Sequence, residues 1–421
     1  MKILVISQYF WPENFRINDL VQELVSRGHN VTVLTGYPNY PGGIVYNEFR
    51  DKPGEFSTFA GANICRVPLL ERGKGGWRLG LNYLSFMLSA ALLGPLKLRG
   101  QNFDVIFVFE PSPVTVGIPA VVLGKFKKAP VVFWVLDLWP ETLAAVGAVH
   151  SRVLLGAIGW MVRFIYNRCE LVLGQSKGFI GSIAKYCDDK RKIRYFPSWA
   201  EDVYSNHEVT QLAPEIRVQE GVFNVLFAGN IGEAQDFPAI LDAVERLKAH
   251  SAIRWLIVGG GRMSDWLQQE VKSRGLEKSI LLLGRFPFER MPSFYAHADV
   301  LLVSLKAEPA FSLTIPGKIQ SYLMFGVPII GMLDGEGASA IREAQAGLVC
   351  SAGDSIGLAQ AVLSLSTMHK SERLAMGRNG RNYAKHEFDR DTLMSSLEDW
   401  FDEVASKRNK NHAVKLDEQN G

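Results

Sequence analysis

The chain has 421 residues, of which 47% are hydrophobic and 21% are charged. That length is too great for one ordinary hydrophobic core, so two domains are expected, and the composition is that of a globular protein. The four cysteines are scattered without a CxxC pair. This argues against a structural zinc site or a disulfide scaffold, and for a reducing compartment.

Charge is distributed unevenly along the chain. Residues 1–200 contain 23 Lys and Arg against 14 Asp and Glu, a net charge of +9, whereas the remaining residues contain 23 against 29, a net charge of −6. A basic half suits anionic lipid, a phosphorylated acceptor or nucleic acid, with chance as the alternative. Lys2 leads directly into an apolar strand, so no secretory signal is expected.

Apolar strands alternate with helical patterns through the first 200 residues. The strand Lys2 to Ser7, a helix that ends at Gly28 and the strand Val31 to Thr35 form a βαβ unit. Its first loop lacks GxGxxG, so a dinucleotide fingerprint is absent. The other strands predicted for this sheet are 63–67, 104–109, 130–136, 171–174 and 193–196.

Residues 77–98 are almost uncharged and about long enough to span a bilayer. Asn82, Pro95 and other polar or helix-breaking residues dilute the segment, and a spanning helix would interrupt the strand series. We therefore expect a helix that is partly buried and partly able to lie on a membrane surface, with Arg72, Lys74 and Arg78 at its basic end. A plain core helix is the alternative. Residues 153–166 form a second very apolar helix.

Asp137 follows directly after the predicted strand 130–136, in the segment DLWPET. Polar groups at the carboxyl end of a parallel strand belong to the ligand crevice of an open α/β sheet. Asp137 is therefore a candidate site residue, with a loop-capping aspartate as the alternative.

A polar linker is predicted at 201–221, after which strands and helices alternate again. Glycine-rich turns follow three strands of this second series, at Gly229 and Gly232, at 259–261 and at Gly284. Such turns allow backbone N–H groups to face phosphates or a base.

A further phosphate signal lies at Ser312 to Tyr322. Pro316 suits a first helical turn, Thr314 or Ser312 could cap the helix, and Gly317 permits close approach of a ligand. Lys318 lies in the first turn, where the helix dipole disfavours a cation. A bound anion would explain this lysine, and an ordinary solvated lysine is the alternative.

Together these stretches identify a family resemblance. The chain resembles family 4 of the GT-B glycosyltransferases over nearly its whole length, and particularly the WbuB-like bacterial O-antigen and capsule sugar transferases. The stretches that carry the resemblance are WVLDLWPE at 134–141, FAGNIG at 227–232, VGGG at 258–261, GR at 284–285 and TIPGKIQSY at 314–322.

The resemblance implies an α/β fold of two facing Rossmann-like domains, with a C-terminal helix that crosses back to the first. We assign an acceptor-side domain to 1–200, the linker to 201–221 and a nucleotide-sugar-binding domain to 222–385. The crossover helix region is assigned to 386–405, and 406–421 is expected to be a disordered tail.

The activity implied is that of a retaining glycosyltransferase. It would move a sugar, of N-acetyl-hexosamine type such as N-acetyl-fucosamine, from a UDP-sugar to a polyprenyl-diphosphate-linked glycan in bacterial surface polysaccharide synthesis. The enzyme would be cytoplasmic and peripheral on the inner face of the plasma membrane, without metal, cofactor or nucleic acid. Two alternatives stay open: a GT-B UDP-sugar epimerase or phosphorylase, and a non-catalytic nucleotide-sugar-binding protein.

The resemblance also implies roles for individual residues. Asp137, Lys318 and Glu308 are expected to be catalytic. The residues expected to bind the nucleotide-sugar are Gly229, Asn230, Gly232, Gln235, Arg262, Arg285, Phe286, Thr314, Pro316, Gly317 and Ser321.

Two departures from the family pattern bear on these roles. The family's pair of glutamates is replaced by Leu313 and Ser321. Ser321 or Gln320 would therefore have to contact ribose differently, with Glu308 as a substitute carboxylate. The family's basic pair after the first strand of the second domain is also replaced, by residues that include Asn230 and Gln235. The diphosphate should depend more on Lys318, Arg262 or Arg285.

Overall fold

Two parallel β-sheets, each in its own unit, organise the computed structural model, which describes residues 1–73, 76–145, 147–200, 202–204 and 211–420. The first unit contains Met1–Phe196 and the chain from Met394 onward, and the second contains Pro197–Leu393. The predicted α/β architecture with two sheets is confirmed.

The first unit alternates strands and helices in chain order. Its elements are β1 (Lys2–Ile6), α1 (Arg16–Ser26), β2 (Asn30–Gly36), α2 (Asn47–Asp51), β3 (Thr58–Phe59), β4 (Ala62–Val67), α3 (Gly76–Lys97), β5 (Val105–Glu110), α4 (Gly117–Lys127), β6 (Val131–Val135), α5 (Glu141–Ala145), α6 (Arg152–Arg168), β7 (Leu171–Gly174), α7 (Lys177–Ile183) and β8 (Ile193–Tyr195).

The described strands of this unit form one sheet in the order β3-β4-β2-β1-β5-β6-β7-β8, parallel except for the short β3. The central strands β1, β5 and β6 are apolar runs buried on both faces, as parallel strands covered by helices require. The carboxyl ends of β5 and β6 are adjacent, with Glu110 paired to Val135. This register brings Glu110 and the loop at Asp137 together.

Helix α3 packs on this unit through one face and exposes the other. Gly94 allows close contact, because a Cβ there would lie 3.2 Å from Leu34 and 3.4 Å from Leu123. Asn82 is buried, accepts a hydrogen bond from Gln8 Nε2 at 2.7 Å and donates one to the Leu70 carbonyl at 2.5 Å. These contacts fix α3 against the sheet along its length.

The second unit repeats the alternation. Its elements are β9 (Phe223–Asn230), α8 (Phe237–Arg246), β10 (Ile253–Gly260), α9 (Ser264–Ser273), β11 (Ile280–Gly284), α10 (Met291–Tyr295), β12 (Val300–Ser304), α11 (Pro309–Ser312), α12 (Gly317–Phe325), β13 (Ile329–Met332), α13 (Gly335–Glu343), β14 (Gly347–Cys350), α14 (Ser355–Thr367) and α15 (Lys370–Glu387).

Its described strands are all parallel, in the order β11-β10-β9-β12-β13-β14. Alternate residues of β9 enter two different cores, Leu226 with α12 on one face and Phe227 with α8 on the other. The helices therefore cover both faces of the sheet. Its functional groups are expected at the carboxyl ends of the strands.

The last helix, α16 (Arg390–Asn420), begins beside α15 and from Met394 onward belongs to the first unit. There Phe401 packs against Phe107 with ring centroids 5.7 Å apart, and Glu398 forms ion pairs with Arg27 at 3.0 Å and with His29 at 2.6 Å. These contacts confirm the predicted return of the C-terminal helix.

Two predicted segments differ from the structure. Helix α16 continues to Asn420, where a disordered tail was expected from 406, and the i,i+4 ion pair between Glu403 and Lys407 at 2.5 Å lies on the turn that crosses residue 406. The predicted linker is partly packed, since Tyr204, Ala213 and Ile216 are buried in the core of the second unit. Polar flanking residues concealed these anchors in the sequence.

Candidate active site

A cavity of about 400 Å³ opens in the second unit, where β9 and β10 end and α12 begins. Within the described part of the chain its walls combine two cations, several aromatic rings and a glycine-rich backbone. The lining residues are Tyr204, Ala228, Gly229, Asn230, Val258, Gly259, Gly260, Arg285, Phe286, Phe288, Met291, Tyr295, Gly317, Lys318 and Ser321.

Glycine is required where β9 and β10 run side by side at the cavity floor. Gly229 pairs with Gly259, and both have positive φ, +142° and +140°. A Cβ on Gly259 would lie 1.8 Å from the Gly229 carbonyl oxygen, an impossible contact. The two glycines therefore allow the strand ends to approach closely and leave their backbone accessible to a ligand.

Lys318 occupies the space beside Gly229. A Cβ on Gly229 would lie 2.5 Å from Lys318 Cε, and the Lys318 ammonium lies 3.8 Å from the centroid of the Phe227 ring. Burial lowers the pKa of Lys318 to about 7. Among the described residues no carboxylate forms an ion pair with this lysine.

The start of α12 provides a second source of positive potential. Pro316 is the N-cap residue and no side chain caps the helix. The predicted caps are wrong, because Thr314 Oγ1 donates to the Phe311 carbonyl and Ser312 Oγ to the Pro309 carbonyl. The first N–H groups of a helix have no intrahelical acceptors, so an anion at Gly317 would find donors there.

The next turn of α12 holds Gln320 and Ser321. In its satisfied orientation, the buried Gln320 amide donates to the carbonyls of Pro316 and Gly317, at 2.9 and 3.1 Å. Its side chain is therefore occupied by the backbone of α12. Ser321 lines the cavity, and its hydroxyl donates to the Gly317 carbonyl at 3.2 Å.

Aromatic side chains form the other part of the cavity. Tyr204 stacks on Tyr295 with centroids 5.4 Å apart and meets Phe288 edge-on at 5.6 Å. Phe286 is supported by Phe294 at 4.6 Å. Tyr204 and Tyr295 are buried, so the rings open to a planar ligand are those of the half-buried Phe286 and the exposed Phe288. Stacking of a base on such a ring contributes about 1–3 kcal/mol.

A separate group of acidic residues lies at the carboxyl edge of the first unit's sheet. Trp139 Nε1 donates to Asp137 Oδ2 at 3.1 Å, and the Asp137 N–H donates to Glu110 Oε2 at 3.4 Å. Glu110 is fully buried, and its Oε1 has no hydrogen-bond partner within the described residues. Burial, and then the charge of Asp137, raise the pKa of Glu110 well above its ordinary value.

Comparison with known families accounts for both halves of the chain. Residues 14–199 match the family described as "Glycosyl transferase 4-like domain", and residues 222–368 match "Glycosyl transferases group 1". The two stretches together cover more than half of the chain. The chain is a GT-B glycosyltransferase. The cavity described above is consistent with a group-transfer enzyme, because it places a cation without a described counterion beside aromatic side chains.

Individual proteins show the same relationship. The glycosyltransferase is 24% identical over 342 residues to the putative colanic acid biosynthesis glycosyl transferase WcaI of Escherichia coli K12, covering 77% of this chain and 82% of that protein. Its fold matches Anabaena HepE in complex with UDP (TM-score 0.68, 15% identity, 96% and 100% coverage). It also matches WaaG, a glycosyltransferase involved in lipopolysaccharide biosynthesis (TM-score 0.62, 15% identity, 96% and 99% coverage).

Several predicted residues of this glycosyltransferase meet in the cavity of the second unit. They are Gly229, Asn230, Arg285, Phe286, Gly317, Lys318 and Ser321. Sequence reasoning missed Tyr204 and Tyr295, which come from the expected linker and from α10. Neither carries a local motif, and only the tertiary fold unites them.

Other predicted residues lie outside the cavity lining. Gln235 Oε1 accepts from the Gly232 N–H at 3.2 Å, so this pair caps a short turn. Arg262 is exposed, and Glu308 is exposed at the start of α11. Thr314 and Pro316 shape the approach to α12, as described above. The described residues contain no group of three His, Cys, Asp or Glu side chains arranged to hold a metal ion.

Proposed function

We propose that this glycosyltransferase moves a sugar from a UDP-sugar to a polyprenyl-diphosphate-linked glycan, with retention of anomeric configuration, during bacterial surface polysaccharide synthesis. The observation that carries the donor assignment is Lys318, a half-buried cation without a described counterion that lines the cavity at the start of a helix. The UDP bound to HepE supports the donor, and the polysaccharide and lipopolysaccharide biosynthesis roles of WcaI and WaaG support the pathway.

The chemistry requires stabilisation of the leaving diphosphate. As the bond between the anomeric carbon and the diphosphate oxygen breaks, negative charge grows on that oxygen. Preorganised cations and N–H groups act most strongly where charge develops in a water-poor site. Lys318, the first N–H groups of α12 and the backbone near Gly229 supply such groups in our proposal, with Arg285 as a second cation. We propose that no metal ion is needed for this step.

Asp137 is proposed as the polar group that acts on the reacting sugar or its acceptor. Its Oδ2 is oriented by the indole N–H of Trp139, and its backbone N–H is held by Glu110. One hydrogen bond thus orients the carboxylate and another anchors its backbone, and general acid–base and electrostatic roles both require a defined orientation. Glu308 stays the weaker catalytic candidate, because it is exposed and does not line the cavity.

The acceptor side of the proposal rests on α3. By length and composition this helix is long and apolar enough to cross a membrane. Its exposed apolar residues recur every three or four positions and so form one stripe. They are Trp77, Leu81, Leu84, Leu88, Leu92 and Leu96.

We propose that α3 lies in the inner surface of the bacterial plasma membrane, where lipid-linked acceptors are held, and does not cross it. The buried hydrogen bonds of Asn82 favour a helix that stays on its unit. Arg78, whose guanidinium lies 5.5 Å from the Trp77 ring centroid, and Arg72 would meet anionic headgroups. Lys74, the third predicted basic residue, lies outside the described residues.

The decisive experiment supplies purified protein with UDP-N-acetyl-hexosamines and a polyprenyl-diphosphate-linked glycan. Acceptor-dependent release of UDP, with retained configuration in the product by NMR, is expected. Release or epimerisation without an acceptor would instead identify the epimerase alternative. Nucleotide binding without turnover on any acceptor would identify a binding protein. In an active enzyme, Asp137→Ala should lose turnover far more than UDP affinity.

A further inference from the structure

The described lining of the second unit's cavity contains no Asp or Glu. Its polar side chains are two cations, an asparagine, a serine and two tyrosines, and the rest are apolar residues or glycines. In dinucleotide-binding Rossmann folds an acidic side chain receives hydrogen bonds from the ribose hydroxyls. Here the described walls offer no carboxylate, and the amide of Asn230 among them is a neutral acceptor.

The side chain that α12 presents to the cavity is short. Ser321 lies one helical turn beyond Gly317 and therefore on the same face as the helix start. It is 6% exposed, and its hydroxyl already donates to the Gly317 carbonyl. Gln320, the neighbouring side chain long enough to reach a ribose, is turned back onto the carbonyls of Pro316 and Gly317.

The side chains and helix start that the cavity does present suit other parts of a nucleotide. Lys318 and the start of α12 suit a diphosphate, and the aromatic group that includes Phe286 suits a base. Neither feature distinguishes a ribose from a deoxyribose. A site with a buried carboxylate would leave that charge unpaired on meeting a deoxyribose, with a loss of about tenfold to a hundredfold in affinity. A site without a carboxylate has no charged acceptor that a deoxyribose would leave unpaired.

We propose that this cavity does not read the ribose 2′-hydroxyl, so that its donor class includes 2′-deoxyribonucleoside-diphosphate sugars such as those of deoxythymidine diphosphate. This inference rests on the proposed nucleotide-sugar function and extends its donor class beyond UDP-sugars. Met291, a flexible apolar lining residue, can accommodate the thymine methyl group.

The test is isothermal titration calorimetry of the full chain with UDP, 2′-deoxy-UDP and dTDP. UDP and 2′-deoxy-UDP differ only in the hydroxyl at issue, and their Kd values should agree within about threefold, since no charged hydrogen bond is lost. Binding of UDP at least about tenfold tighter than 2′-deoxy-UDP would overturn this inference and leave the proposed function standing. If none of the three nucleotides binds, both fall.

A gain-of-discrimination variant tests the same point in the opposite direction. Ser321→Glu places a carboxylate on the cavity face of α12, and Ser321→Gln is its neutral, equally long control. We expect Ser321→Glu to raise the Kd ratio of 2′-deoxy-UDP to UDP about tenfold over the control, whatever the change in absolute affinity. Equal ratios in the two folded variants would show that position 321 does not face the ribose, and would refute the inference.

Discussion

Replacing Lys318 by Met should stabilise the ligand-free protein while abolishing its affinity for UDP. The variant keeps the length of the side chain and removes the ammonium beside Gly229 and Phe227. Burial lowers the Lys318 pKa from 10.5 to about 7. Folding therefore places a cation where it is disfavoured, with no carboxylate among the described residues to offset the loss of water. An apolar side chain of similar volume removes that penalty.

The magnitude follows from the shift in pKa. Lowering the pKa from 10.5 to about 7 corresponds to no more than about 5 kcal/mol at neutral pH. Partial exposure of Lys318 and its contact with the Phe227 ring both reduce this figure. We therefore expect Lys318→Met to raise the free energy of unfolding by about 1 to 3 kcal/mol at pH 7.

The stability of the wild type should also depend on pH, in a direction set by the lowered pKa of Lys318. Between pH 7 and 10.5 the unfolded chain keeps a proton on Lys318 that the folded chain has released. The wild type should therefore become more stable as pH rises through that window, and Lys318→Met should lack this increase. UDP binding favours the protonated lysine, so wild-type affinity should fall about tenfold per pH unit above about pH 7.

Urea denaturation of the two proteins from pH 7 to pH 9, with UDP calorimetry in parallel, measures both effects. Lys318→Gln is the matched control, because it keeps a polar end group without the charge. A loss of stability in Lys318→Met, or UDP affinity within about threefold of the wild type, would refute the reasoning that this lysine is a strained anion ligand.

Three further variants test other parts of the molecule. Gly229→Ala should weaken UDP binding at least about tenfold, because φ is +142° and the new Cβ would displace the Lys318 ammonium; calorimetry measures this. Glu110→Gln should gain stability relative to wild type in urea melts as pH rises above about 5, since the raised pKa of Glu110 makes its ionisation in the fold unfavourable; parallel curves would contradict a buried neutral acid. Leu92→Asp should reduce flotation with anionic vesicles about tenfold or more, whereas Leu374→Asp, an equally simple change on α15, should float like the wild type.

Local sequence signals predicted the strands and helices and the glycine and lysine residues that meet in the cavity. These signals are apolar runs, glycine turns and the Pro-Gly-Lys order, all of which involve residues adjacent in the chain. The sequence alone therefore predicted β9, β10 and the start of α12. The cap at α12 could not, because Pro316 takes the N-cap position itself and leaves Thr314 outside the helix. Capping rules say which side chains favour the N-cap position, but the sequence does not show which residue occupies that position.

The aromatic wall of the cavity could not be predicted without the tertiary structure. Tyr204 lies in a stretch whose polar composition predicts a linker, yet its ring is 2% exposed and stacks on Tyr295. The two residues are far apart in sequence and have no shared spacing. Glu110 escaped notice for a related reason: it ends an apolar strand, and only the pairing of β5 with β6 places it behind Asp137.

The packing of Lys318 depends on both Gly229 and Phe227. The lysine is held over an aromatic ring because the facing residue has no side chain, and the glycine is needed because the lysine occupies its space. An arrangement selected for stability alone would place an apolar side chain there, since the half-buried lysine has no described counterion. The unfavourable placement of the lysine is explained if an anionic ligand supplies its counterion. A protein without such a ligand would therefore gain from the Lys318→Met change and lose nothing, which makes this one position the sharpest test of the donor site.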